Sequence, residues 1–191
     1  MSPPVTAVVA LGSNLDDPED HVRRAFADLA RLPETWLTGR SALYRTAPVG
    51  YADQPPFVNA CAKLETRLSP RALLDHLLAI EKRHGRARGI PNGPRTLDLD
   101  IVLYGGATIA EPGVSVPHPR AHERAFVLAP LVDVWPEAEI PGKGKANELL
   151  AAVGQEGVER IVAPVKPPRE SPGRGIDSRL RGNDVNGNDL K

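Results

Sequence analysis

Gly93-Pro94-Arg95-Thr96-Leu97-Asp98-Leu99-Asp100-Ile101-Val102-Leu103-Tyr104 is the stretch on which the reading of the fold turns. From Leu97 onward apolar and acidic residues alternate. Ile101, Val102 and Leu103 then run together until Gly105-Gly106 closes the run, the pattern of a strand. Successive side chains of a strand point to opposite faces, so Asp98 and Asp100 share one face while Leu97, Leu99 and Ile101 share the other. Alternate Cα atoms in a strand lie about 6.5–7 Å apart, which lets both carboxylates reach a shared metal cluster. Two like charges on one strand face repel unless a cation sits between them. Just upstream, Arg83, Arg86, Arg88 and Arg95 place positive charge on a Gly- and Pro-rich segment. Carboxylates for Mg²⁺ beside guanidinium groups for phosphate are the parts of an ATP-using transferase. A lone Asp-x-Asp is more often a solvated strand face; here the arginines and the Gly-Pro turn favour a site.

The elements before this strand set its context. Val5 to Leu11 is a short β-branched run, read as a buried central strand. Asp17-Pro18-Glu19-Asp20 supplies an N-cap, a proline at the first helical position and acids in the first turn. Val22, Phe26, Leu29 and Leu32 recur at helical spacing, predicting a helix over Pro18–Arg31 that Pro33 stops. Thr35 to Tyr44 reads as one strand interrupted at Gly39. Thr46 to Pro56 is a Pro- and Gly-rich loop of the length that carries function. Phe57 to Leu68 alternates, with Val58, Ala60, Ala62 and Leu64 on one face. Its other face carries Phe57, Asn59, Cys61, Lys63 and Glu65, polar but for the aromatic at its start. Ser69-Pro70 starts a helix through Leu73, Leu77 and Ile80 that His84-Gly85 ends.

Strand–helix–strand–strand–helix–strand up to Tyr104 is the split βαβ order. The fold class expected is therefore α+β, a ferredoxin-like βαββαβ core with an antiparallel-rich sheet, helices on one face and C-terminal additions. Those additions are a hairpin return near Thr108, an extended turn at Val116-Pro117-His118-Pro119 and helices over Ala121–Val132 and Asn147–Val153. Residues 1–165 are expected to form one domain. From Lys166 to Lys191 the composition shifts to Pro, Gly, Asn, Asp, Ser and Arg without aromatics, predicting a disordered tail.

Composition excludes some functions. The 191 residues carry 24 Lys+Arg and 24 Asp+Glu, a net charge of zero, so no bulk basic field argues for a nucleic-acid partner. The one cysteine, Cys61, forms no internal disulfide, which fits a reducing cytoplasm. No basic n-region precedes the first apolar run and no stretch is long enough to span a bilayer, so a cytoplasmic chain off the membrane is expected. Gly12-Ser13-Asn14 is not followed by Lys-Ser/Thr, so a Walker A loop is absent. An aromatic ring beside an amide, as at Phe57 and Asn59, suits a flat heterocycle that stacks and hydrogen-bonds at its edge.

The run GPRTLDLDI, with LGSNL, YRTAPVG, FVNA and VPH as further landmarks over Val5 to Leu150, resembles the 6-hydroxymethyl-7,8-dihydropterin pyrophosphokinase family of folate biosynthesis. The resemblance implies an enzyme that transfers the pyrophosphoryl group of ATP to 6-hydroxymethyl-7,8-dihydropterin and releases AMP. It also implies two Mg²⁺ ions held by Asp98 and Asp100, with Arg86 and Arg95 as catalytic cations. By the same resemblance Phe57 and Phe126 sandwich the pterin, Asn59 bonds its pyrimidine edge, and the backbone around Thr46, Pro48 and Val49 completes that pocket. His118 and Arg124 are implied phosphate contacts. Leu74, Glu81, Arg88, Arg95, Ile101 and Ser115 are further implied ATP contacts; on residue type alone Glu81 would be a surface partner of Lys82 or Arg83. The loop from Arg86 to Gly93 is short and carries Asn92 near a position where some members have tryptophan. It is expected to close as a lid over the nucleotide, in a monomer. Two rival readings are a metal-dependent nuclease, which would want a broad basic face, and a non-catalytic ligand-binding module, which leaves the Asp pair and the arginines unused.

Overall fold

The computed structural model describes residues 2–50, 52–86, 91 and 93–162. Arg88, most of the expected lid and the tail from Lys166 lie outside the described residues. In chain order the elements are β1 (Val5–Ser13), α1 (Pro18–Leu29), β2 (Thr35–Arg40), β3 (Leu43–Thr46), β4 (Phe57–Thr66), α2 (Pro70–Arg83) and β5 (Asp98–Tyr104). There follow β6 (Ile109–Glu111), β7 (Val114–Val116), α3 (Ala125–Val134), β8 (Glu139–Ile140), β9 (Gly144–Lys145), α4 (Ala146–Val153) and β10 (Val158–Ile161). The main sheet runs β10-β3-β4-β1-β5, with β2 also alongside β4, and neighbouring strands are antiparallel. Up to β5 this is the expected βαββαβ core, with its second strand divided into β2 and β3.

Helix starts follow the sequence signals. The Asp17 side chain accepts from the Asp20 N–H, and Ser69 Oγ accepts from the Ala72 N–H at 3.1 Å, each followed by proline in the first turn. Leu73, Leu77 and Ile80 of α2, with Val22, Phe26 and Leu29 of α1, pack under Val9, Leu11, Val58, Ala60, Leu64, Leu99 and Ile101. Each such side chain removed from water contributes about 1.5–3 kcal/mol before chain entropy is set against it.

The structure departs from the reading at four places. The stretch expected as one strand over Thr35–Tyr44 is two, and the break falls at Ser41-Ala42 rather than at Gly39. Gly39 instead sits at a register shift in the β2–β4 pairing, where a Cβ would lie 2.9 Å from Val134 Cγ2 of α3. The helix expected from Ala121 begins at Ala125, after a single 3₁₀ turn over Ala121–Glu123. β10, which sequence reading did not find, extends the sheet beyond β3. Finally, helices cover both faces. A second core of Val8, Cys61, Val102, Leu103, Leu128, Leu131 and Leu150 lies on the face expected to be polar, because α3 is apolar nearly all round and needs cover on more than one side.

Candidate active site

The central strand β1 aligns the chemistry. Gly12 is paired with Asn59 of β4 on one side and with Asp98 of β5 on the other; Ala10 is paired with Cys61 and Asp100. Directly opposed residues share a face, so Asn59, Gly12 and Asp98 form one row across the second face, with Cys61, Ala10 and Asp100 in the next. β3 adds Tyr44 opposite Asn59 and Thr46 opposite Phe57. The second core buries Cys61, while the strand ends bearing Phe57, Asn59 and Asp98 line a cavity of about 160 Å³. Gly12 keeps its floor low: a Cβ there would sit 2.9 Å from Asn59 Oδ1. Asn59 is fixed by donating from Nδ2 to Thr46 Oγ1 at 2.7 Å.

Ten of the expected site residues line this one cavity: Thr46, Val49, Phe57, Asn59, Arg95, Asp98, Asp100, His118, Arg124 and Phe126. Phe57 and Phe126 come from β4 and the first turn of α3, and the Arg124 guanidinium stands 5.5 Å from the Phe126 ring centroid. At one end the pocket therefore offers aromatic rings and an amide, and at the other carboxylates and cations.

The charged end is built around Asp98. Arg86 Nη1 donates to its Oδ1 at 2.8 Å and Arg95 Nη1 to its Oδ2 at 2.9 Å. The arginines expected to face phosphate are thus held on the carboxylate that would face the metal. Asp100 has only their more distant field. Burial, then the charges of Asp98 and Glu81, push its carboxyl up to about 7. A divalent cation would relieve that repulsion, and the donors are hard oxygens of the kind Mg²⁺ takes. Among the described residues no group of three or more His, Cys, Asp and Glu could hold a metal. Mg²⁺ commonly needs only one or two carboxylates, with waters and substrate phosphates filling the rest. The residues fit that ion.

His118 follows the Val116–Pro117 cis peptide. Its backbone N–H donates to Val102 O at 3.3 Å, and its Nδ1 accepts from the Arg120 N–H at 3.3 Å, leaving Nε2 as the donor of the neutral ring. Burial and the nearby Arg124 hold its pKa below the usual imidazole range. Arg124, also lowered by burial and by Arg120, is the residue from which α3 departs.

The remaining expectations fall elsewhere. Glu81 is not a surface partner of Lys82 or Arg83: it is 4% exposed. Its Oε1 accepts from the Leu99 N–H at 2.9 Å and its Oε2 from Arg86, so it braces β5 from beneath while burial raises its pKa. Pro48 does not line the cavity, although its neighbours Ala47 and Val49 do. Leu74, Ile101 and Ser115 stand apart from it too, on α2, β5 and β7, which meet at the β5 edge of the sheet. Sequence reading missed Asn14, which is buried. Its Oδ1 accepts from the Arg95 N–H at 2.9 Å, and its Nδ2 donates to Gln54 Oε1 at 2.9 Å and to Pro55 O at 3.0 Å. That one side chain ties the Pro-rich loop to the arginine loop. The available signal was an amide placed directly after a buried strand, where a polar side chain must find partners.

A carboxylate pair ringed by cations, beside a slot with aromatic walls on an antiparallel α+β sheet, is the arrangement of a metal-assisted phosphoryl-type transferase. Sequence comparison narrows the class. The family described as 7,8-dihydro-6-hydroxymethylpterin-pyrophosphokinase (HPPK) matches residues 8–136, and the chain belongs to that family. It is 50% identical over 153 residues to the 2-amino-4-hydroxy-6-hydroxymethyldihydropteridine pyrophosphokinase of Pseudomonas aeruginosa, covering 80% of this chain and 94% of that protein. The Bacillus subtilis protein of the same name is 44% identical over 152 residues, covering 80% of this chain and 87% of its own length. Among solved structures, wild-type Plasmodium falciparum HPPK-DHPS with pteroate superposes with a TM-score of 0.67 at 14% identity, over 85% of this chain. The chain spans about half of that protein, 49% of its length, and the likeness speaks to the fold alone.

Proposed function

We propose that the second-face cavity is where this chain carries out its family's reaction. The enzyme transfers the pyrophosphoryl group of ATP to the hydroxymethyl group of 6-hydroxymethyl-7,8-dihydropterin, giving the pterin diphosphate and AMP, a step of folate biosynthesis. The observation that carries the assignment to this cavity is the common lining of Phe57, Asn59 and Phe126 with Asp98, Asp100, Arg95, His118 and Arg124.

Phe57 and Phe126 hold the pterin between them and exclude water from its faces. Asn59, its amide oriented by Thr46, reads the pyrimidine edge, and the segment at Thr46 and Val49 closes the far side, with Pro48 between them outside the lining. Asp98 and Asp100 would hold two Mg²⁺ ions. When bound, these neutralise the triphosphate and lower the pKa of the attacking hydroxyl. The hydroxymethyl oxygen forms a bond to the β-phosphorus, the bond from that phosphorus to the α,β-bridging oxygen breaks, and the hydroxyl proton leaves to solvent. Arg86 and Arg95 stabilise charge on the departing AMP oxygen. His118 and Arg124 hold the phosphates in line. Leu74, Ile101, Ser115 and Glu81, at and around the β5 edge, are assigned to the nucleotide side, and Arg88 is assigned to the nucleotide as well. The groups in the cavity able to take a proton, Asp100 and His118, are assigned to the ions and the phosphates, and positioning with electrostatics suffices for this class of transfer. The buried Cys61, its thiol pushed up by burial and then by Asp133, is not a nucleophile.

Residues 1–165 constitute the catalytic domain, acting as a cytoplasmic monomer with neither nucleic acid nor membrane as partner. The neutral charge balance and the free cysteine support this, and no helix among the described residues is long and apolar enough to cross a membrane. Incubation with ATP, Mg²⁺ and the dihydropterin tests the function: AMP and pterin diphosphate are expected in equal amounts, and ADP as the product would contradict it.

A further inference from the structure

Outside the cavity, where α1 passes the end of α2, polar side chains form a chain beneath the sheet. His21 and His84 are both buried, and their Nδ1 atoms are 2.8 Å apart. His84 Nε2 lies 2.9 Å from Asp28 Oδ2, and Arg24 Nη2 lies 3.1 Å from His21 Nδ1. The Asp28 carboxylate only accepts, so His84 carries a proton on Nε2, and one Nδ1 proton bridges the two rings. His84 is thus held at both ring nitrogens by α1, and buried polar groups of this kind stay satisfied only while their partners stay in place.

His84 is the C-cap of α2, the residue directly after Arg83. Gly85 follows at φ 76°, a left-handed position that disfavours a side chain. The Gly85 N–H donates to Lys82 O at 3.0 Å and the Arg86 N–H to Glu81 O at 3.1 Å. Paired bonds of this spacing form a Schellman end, which fixes the direction of the residue that follows the glycine. That residue is Arg86, whose guanidinium meets Glu81 and Asp98. One glycine therefore separates a histidine locked to α1 from a guanidinium on a candidate metal-holding carboxylate.

We propose that His84 is a positioning residue for the transfer: held between Asp28 and His21 of α1, it locks the end of α2 and thereby sets where Arg86 stands. The proposal rests on the reading that Arg86 acts on the transferred phosphates, and the test separates the two. Steady-state kcat and KM are measured for Arg86→Ala, His84→Ala, the double variant, and Asp28→Asn, which keeps the partner's shape and removes its charge. His84→Ala is expected to lower kcat roughly tenfold, since small displacements of a charge-stabilising group have effects of that order or more. KM for the pterin should stay within about twofold, because its contacts are untouched. The double variant should be no slower than Arg86→Ala alone, since the lost interaction passes through Arg86, and Asp28→Asn should lower kcat in the same direction. If His84→Ala does not fold, Asp28→Asn alone and combined with Arg86→Ala carries the same comparison. Wild-type kcat in the His84 or Asp28 variant, or losses that multiply in the double variant, would overturn the proposal. A wild-type rate in Arg86→Ala would overturn the underlying reading of Arg86, and the proposal with it.

Discussion

Asp98 and Asp100 stand two residues apart on one strand face and have opposite surroundings. Asp98 takes both arginines, whereas the Asp100 carboxyl is pushed from 3.8 up to about 7 by burial, then by Asp98 and Glu81. The folded state therefore holds the Asp100 proton more tightly than the unfolded chain does. In the absence of metal, stability should be greatest below about pH 4 on this account and decline as pH rises through about 7. Asp100→Asn should remove that slope, giving a higher melting temperature than wild type at pH 8 in EDTA and nearly the same one at pH 4. Melting curves at the two pH values check it; an unchanged slope would mean that another group sets the pH dependence. Asp98→Ala should give no such gain, because it removes the carboxylate to which both arginines donate. Gly12 makes a steric claim of the same local kind. A Cβ 2.9 Å from Asn59 Oδ1 must displace the amide, so Gly12→Ala should raise KM for the pterin by about tenfold, the worth of one good hydrogen bond. Equal KM values would show that Asn59 does not read the ring.

At the scale of elements, α1, α2, β4 and β5 were legible because each carries a local signal: a capping residue with proline, an apolar stripe, or strict alternation. The shared face of Asp98 and Asp100 and that of Phe57 and Asn59 followed from alternation, while their roles at a site came from the family resemblance. What was not legible depends on tertiary partners. Thr35 to Tyr44 read as one strand because the break at Ser41-Ala42 leaves no local mark; it shows only in the separate pairing of the two pieces with β4. β10 is short and half polar, and it becomes a strand only by pairing with β3. The polar-looking face of β4 hid a second core, since α3 supplies the cover and lies sixty residues downstream. Asn14 and the Glu81 brace were hidden for the same reason: a buried polar group reveals its partners only in three dimensions. Gly39 tests this dependence on α3. A Cβ there would meet Val134 at 2.9 Å and Lys63 Cβ at 3.4 Å, so Gly39→Ala should destabilise the fold by about 1–3 kcal/mol through overpacking. Denaturant melts measure it, and a neutral result would show that α3 can shift at no cost.

Across the whole molecule, a sheet covered on both faces leaves one end of its second face open, and the site occupies that opening at the start of α3. Two cores, one on each side, give the central strand β1 neighbours on both faces as well as on both edges, a rigid base for side chains that must act together. The segment from Lys166 contains no aromatic residue and no hydrophobic periodicity, so truncation after Pro164 should leave turnover and melting temperature unchanged; a marked drop in the melting temperature would show that it docks on the domain. The central claim is that Asp98 and Asp100 together hold the divalent ions that serve the transfer. Mn²⁺ binding, followed by electron paramagnetic resonance with a non-hydrolysable ATP analogue present, tests that claim most directly. Two ions per wild-type chain are predicted, with neither held in the ternary complex of the Asp98→Ala/Asp100→Ala double variant. Full Mn²⁺ occupancy in the double variant would contradict the account.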